Sequence, residues 1–303
     1  MHPAELAILL HRALEVRLAR LEELLDKEHW AEDTEQLHQV RVAARRLGAV
    51  LDLVDADIYP GHKGQRRALK GLVDILGLPR ELDVHAGHLS AYHIEARTPT
   101  QAAVIEHLLE QVDRRRAKAH RTMEKELGRL RQPDLRRLLD VPALQDPFQS
   151  TSMQEAAWNC LDPRIQRALG DLSALAAHED PIALHKTRVR IKKLRYAIEA
   201  LESAFVEMPE SVLKGLRALQ TTLGEHHDLA ALEAFLWEAE AKFRVRERPT
   251  LCSGLLDLLG DVAESRRAAF DRFVALVPGQ DPATYAHALR PALGLPMLDG
   301  DRA

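Results

Sequence analysis

Apolar residues recur at intervals of three and four along nearly the whole chain, and no long stretch alternates at period two. That pattern admits helices and leaves little room for a sheet. Leu6, Leu9, Leu10, Leu14, Leu18, Leu21 and Leu25 predict a first helix ending near His29. Val40, Leu47, Leu51 and Val54 predict a second, and Leu69, Leu72, Val73 and Leu76 a third. A fourth runs from about Glu81 to Glu95. A long fifth opens at Thr98-Pro99, an N-cap followed by a proline suited to the first turn, and a short sixth starts at Asp134. The stretch from Val141 to Ser152 has two prolines and a polar cluster, which places a boundary between halves 1–147 and 148–303.

Across that boundary the same order returns. Asp33 and Asp180 each precede a helix, Gly77 and Gly224 are each expected to end one, and His38 pairs with His185 and Asp134 with Asp281. All four pairs are 147 residues apart. Later the register slips, and Pro99 aligns with Pro249 and Arg115-Arg116 with Arg266-Arg267. The fold class expected is all-α, as two pseudo-symmetric antiparallel halves like four-helix bundles, together one unit of about 1–295.

The repeated histidines each open a cationic stripe. His38-Gln-Val-Arg41-Val-Ala-Ala-Arg45-Arg46-Leu47 and His185-Lys-Thr-Arg188-Val-Arg-Ile-Lys192-Lys193-Leu194 both read H-x-x-R-x-x-x-[RK]-[RK]-L. At about 100° per residue, positions 0, 3 and 7 fall within roughly 60° of one another. His38, Arg41 and Arg45 therefore share one face, as do His185, Arg188 and Lys192, each opposite an apolar face that packs. Further stripes follow: Lys63, Arg66, Arg67 and Lys70, with Lys214 and Arg217 matching at the same offset, and Arg114, Lys118, Arg121 and Lys125. Like charges at i,i+4 destabilise an isolated helix, so such stripes call for an external anion or a row of carboxylates.

Overall charge does not supply this basicity. Lys+Arg 42 against Asp+Glu 46 leaves a net charge of -4, so any anion site arises from local segregation. Aromatic residues are 4%, too few for a surface that stacks bases. Nucleic acid is disfavoured, and a polyanion without bases fits better. Cys160 and Cys252 form no CxxC, which fits a reducing compartment. The N-terminal apolar run has no export-signal character and no segment is long enough to span a membrane, so the expectation is a cytoplasmic protein. No GxxxxGK[ST] or GxGxxG loop is present, and neither a cofactor nor an enzymatic activity is expected. No motif fixes an oligomeric state.

HQVRVAARRL (His38 to Leu47), LGLPRELDV (Leu76 to Val84), HKTRVRIKKLRYAIE (His185 to Glu199) and LGEHHDL (Leu223 to Leu229) resemble the CHAD domain, a helical family named for its histidines. The resemblance implies two pseudo-symmetric bundles whose basic faces bind inorganic polyphosphate across a shared groove, often at polyphosphate granules. By match of motif it places His38, Arg41, Arg45, Arg46, His185, Arg188, Lys192, Lys193 and Arg195 on that surface. Gly48 stands where the family commonly has another arginine, and Glu81 where it has aspartate, so fewer cations are expected in the first half. Asp83 and Asp228 are expected to accept hydrogen bonds that aim the arginines.

Two other readings belong to different classes. One is a histidine phosphoacceptor using His38 or His185; the other is a scaffold whose stripes meet acidic helices. Glu238-Ala-Glu240-Ala-Lys242 matches the ExExK signature of triphosphate-tunnel enzymes. Its helix-forming surroundings make Glu238 and Lys242 an i,i+4 pair instead. His85 with His88, and His226 with His227 and Asp228, are candidate metal ligands without a third donor at convincing spacing.

Overall fold

A computed structural model describes residues 4–27, 30, 33–53, 62–77, 79–96, 98–129, 152–245 and 248–297. Among them the regular structure is helical, with no strand: α1 (Ala4–Leu25), α2 (Thr34–Leu51), α3 (His62–Ile75), α4 (Arg80–Ile94), α5 (Pro99–Arg129), α6 (Met153–Leu169), α7 (Leu172–Ala177), α8 (Pro181–Ala200), α9 (Glu210–Val245), α10 (Pro249–Leu276) and α11 (Pro282–Ala292). The helix expected at Asp134, Val54 and most of the Val141–Ser152 boundary lie outside the described residues.

The expected caps form. The Asp33 carboxylate accepts from Gln36 N–H, Asp180 from Ile182 and Ala183 N–H, and Asp281 from Thr284 N–H. Each satisfies backbone donors that a first turn leaves open. Thr98 Oγ1 accepts from Gln101 N–H at 3.1 Å. Ser152 adds a capping box with Glu155 at the start of α6.

One expected helix end is absent. Gly224 does not end a helix: α9 runs unbroken from Glu210 to Val245, 36 residues or about 54 Å. The same offset aligns Pro79 with His226. Proline lacks the N–H and disfavours helical geometry in the residue before it, so α3 and α4 are separate. The histidine allows α9 to continue.

Two hydrophobic cores result, and each draws on both halves of the sequence. The first buries Leu10, Leu14 and Leu21 of α1, Val40 and Leu47 of α2 and Leu72 of α3 with Ile165 of α6, Ile191 and Leu194 of α8, Leu216 and Leu223 of α9 and Leu289 of α11. The second buries Leu89 of α4 and Val104, Ile105 and Leu108 of α5 with Leu232 and Leu236 of α9 and Leu255, Leu258 and Val262 of α10. Along α9 the first core ends at Leu223 and the second begins at Leu229. The residues between them are Gly-Glu-His-His-Asp. At the 147-residue offset the matching positions in the first half are Leu76, in the first core, and Leu82, which packs against the second. The polar motifs thus lie at the seam between two cores, where neither apolar interior has to accommodate them.

The second core closes tightly. A Cβ on Gly254 of α10 would stand 2.3 Å from the carbonyl oxygen of Thr100 in α5. That neighbour is backbone and cannot rotate away. Gly254→Ala is expected to lower stability by roughly 1–3 kcal/mol, read from urea unfolding. An unchanged midpoint would show that α5 and α10 separate without cost.

Candidate anion site

α2 and α8 pack against each other, and α9 lies alongside α8 and in contact with α4. The stripes predicted on α2 and α8 therefore meet. Arg41 is largely buried. That burial, then Arg45, Arg80 and Arg188, brings its guanidinium down to about 10, with Asp228 pulling the other way. Burial also lowers Arg45, and Arg188 and Arg80 lower it further. Burial, followed by Arg45, Arg188, Arg41 and Arg195, brings the Lys192 ammonium down to about 7. Like charges in a poorly solvated place disfavour one another's ionised forms. Five cations from three helices, Arg41, Arg45, Arg80, Arg188 and Lys192, thus form one cluster.

The cluster leaves donors unused. The Nε of Arg41, of Arg188 and of Arg195 is buried without a hydrogen-bond partner. Asp228, on the α9 seam, contributes negative charge, but burial raises its carboxyl above the usual range against the pull of Arg188 and Arg80. The α9 backbone comes close to the cluster at Gly224, where a Cβ would meet Arg188 Nε in an ordinary contact at 3.4 Å. Tyr196 is buried beneath the cations, its ring centroid 4.7 Å from the guanidinium carbon of Arg195 and 5.9 Å from both Lys192 Nζ and the guanidinium carbon of Arg46. The electron-rich face holds positive charge without neutralising it.

Both histidines border the cluster. His38 is lowered by burial, then by Arg80, Arg41 and Arg45, with Glu35 opposing. His185 is lowered by burial and by Arg188. Its Nδ1 lies 3.1 Å from Nδ1 of His227, so one ring donates and the other accepts. Burial, His185 and Arg188 bring His227 down to about 4. His38 and Arg46 also line a cavity of about 580 Å³ between α1, α2 and α8, with Arg17, Glu199 and Glu202.

The other stripe residues lie elsewhere. Arg66 Nε and Lys193 Nζ are 2.5 and 2.9 Å from the Asp52 carboxylate. Arg46 and Arg195 are 3.7 and 3.2 Å from Glu199. Arg67, Lys70 and Lys214 are exposed, as are Lys118 and Arg121 on α5. Arg114 pairs with Glu110 and Arg217 with Glu210, at 3.7 and 3.8 Å.

Asp83 does orient an arginine, but the partner is Arg116 of α5, whose Nε donates at 2.8 Å. Glu233 and Arg266 repeat this pair 150 residues later, at 3.0 Å, so Arg116 rather than Arg115 corresponds to Arg266. Arg80 and Tyr196 were not singled out from the sequence. Arg80 could have been, because the 147-residue offset aligns it with His227. The ExExK run is helical, with Lys242 Nζ 2.5 Å from Glu238, an i,i+4 pair. Among the described residues, no group of three or more His, Cys, Asp or Glu is placed to hold a metal ion. No described helix is long and apolar enough to cross a membrane.

The CHAD domain model matches residues 9–237, and the chain belongs to that family. Among solved structures it is similar to PptA from Streptomyces chartreusis, at 20% identity and TM-score 0.69, covering 89% of this chain and 98% of that one. It is also similar to the CHAD domain from the plant Ricinus communis, at 23% identity and TM-score 0.63, covering 92% of each. Both likenesses concern the fold. A comparison with curated proteins finds no match.

Proposed function

We propose that this chain binds inorganic polyphosphate, without catalysing a reaction on it, in a basic groove lined by Arg41, Arg45, Arg80, Arg188 and Lys192. Association with polyphosphate granules would follow from that binding. The observation that carries the reading is the convergence of these five cations with three buried Nε donors left unused. Such an arrangement costs stability in the free protein and is relieved by an anion. A phosphate chain supplies closely spaced charges and acceptor oxygens suited to guanidinium forks. It requires no stacking ring, and Tyr196, whose ring Lys192 and Arg195 overlie, is buried beneath them.

The test compares long polyphosphate with single-stranded DNA at equal phosphate content by calorimetry over a salt series. Polyphosphate is expected to bind far more tightly. With five contacts, the plot of log affinity against log salt should have a slope of about -3 to -4. Equal binding of DNA, or affinity independent of salt, would overturn the reading.

A further inference from the structure

We propose that Asp52 is an internal anion seated in an outer phosphate subsite, formed by Arg66 of α3 and Lys193 of α8, and that it limits the advantage of longer polyphosphate chains over short ones. This rests on the polyphosphate reading above. Each carboxylate oxygen faces one cation: Oδ1 lies 2.5 Å from Arg66 Nε and Oδ2 2.9 Å from Lys193 Nζ. Two oxygens on one centre between two cations is also how a phosphate group would sit. The Asp52 side chain is 17% exposed, whereas those of Arg66 and Lys193 are each 51% exposed. The carboxylate therefore lies beneath, and the cations remain open to a ligand arriving from solvent.

Its own helix does not favour Asp52 there. It is the C-cap of α2, where the macrodipole disfavours negative charge. The two cations compensate, and Arg164 Nη2 fixes the same residue by donating to its backbone carbonyl at 2.5 Å. The inner cluster differs: among the described residues, no carboxylate forms an ion pair with Arg41, Arg45, Arg188 or Lys192. Lys192 and Lys193 are consecutive on α8. A short chain fills the inner cluster, and a longer one continuing along α8 must displace Asp52 to gain two further cations. Displacement offsets much of that gain, so the natural chain distinguishes long from short polyphosphate only weakly.

Asp52→Asn keeps the shape and the backbone contacts while removing the charge. Tripolyphosphate and a chain of about 100 phosphates are titrated by calorimetry into both proteins, with circular dichroism as the folding control. The variant is expected to bind the long chain about fivefold more tightly and tripolyphosphate within twofold of the natural protein. Its salt slope for the long chain should steepen by about 1. Adding Arg66→Gln and Lys193→Gln to the variant should abolish the gain. Lys193→Gln alone in the natural protein should cost less than twofold at either length, because Asp52 already occupies that charge. Equal tightening at both lengths, no tightening, or a tenfold loss with Lys193→Gln alone would overturn the assignment of Asp52. A natural protein that binds neither length fails at the earlier step, polyphosphate binding itself.

Discussion

Arg41→Glu combined with Arg188→Glu is expected to weaken polyphosphate binding by at least about a hundredfold, since each reversal removes a charge-assisted contact and adds repulsion at the same anion. Arg41 and Arg188 act on each other across the α2–α8 contact. Their losses should consequently be non-additive, with the double variant costing less than the product of the singles. Short chains should lose nearly as much as long ones, because the two stripes meet in one cluster rather than on distant walls. Helical content should persist. The free variant should unfold at a higher temperature than the natural protein, since like-charge repulsion is removed. Arg114→Glu/Lys118→Glu, on exposed positions of α5, should cost no more than about threefold, the residual effect of net charge. Calorimetry and thermal unfolding on the two variants decide the matter; equal losses would dissociate the cluster from binding.

Polyphosphate affinity is expected to fall as pH rises above 7, by as much as about tenfold per pH unit, with Lys192 as the cause. Its ammonium is brought down to about 7 in the free protein, chiefly by burial and then by four arginines. A bound polyanion restores the charged form, so binding above pH 7 takes up about one proton, and affinity follows that uptake. Stability of the free protein should move the other way. Below pH 7 the amine is charged in both folded and unfolded chains, and the cost of holding that charge is felt in full. Between about 7 and the ordinary value of 10.5 the unfolded chain carries more protons, so stability rises with pH. Lys192→Met should flatten both profiles relative to the natural protein. Calorimetry in buffers of different ionisation enthalpy measures the proton uptake directly, and no uptake at pH 8 would remove Lys192 from the site.

The histidines give a smaller effect in the same direction. His38 and His185 are lowered by burial and by nearby arginines, so a bound anion favours their protonated forms. The His185–His227 contact at 3.1 Å limits this, because protonating both rings would set two N–H donors against each other.

Much of this architecture was legible from residue spacing. Apolar residues at three and four, with aspartates before Thr34, Pro181 and Pro282, mark helices whose first-turn N–H groups are capped locally. The H-x-x-R pattern places His38, Arg41 and Arg45 on one face, and His185, Arg188 and Lys192 on another, because helical periodicity is a local property. Gly224 was misread for the opposite reason. Glycine permits a helix end without requiring one, and the residue that separates α3 from α4 is Pro79, which has no counterpart at His226.

What the tertiary structure alone decided is which cations remain available. Arg45 and Lys192 face other cations, while Lys193, one residue further, reaches Asp52, 141 positions earlier in the chain. Arg46, next to Arg45, meets Glu199 of α8. Arg80, from a different helix, completes the cluster. A single helix specifies that adjacent side chains point about 100° apart, but not what lies in either direction. Burial and opposing charge depend on helices brought together from distant parts of the chain, and they separate an unsatisfied arginine from a neutralised one.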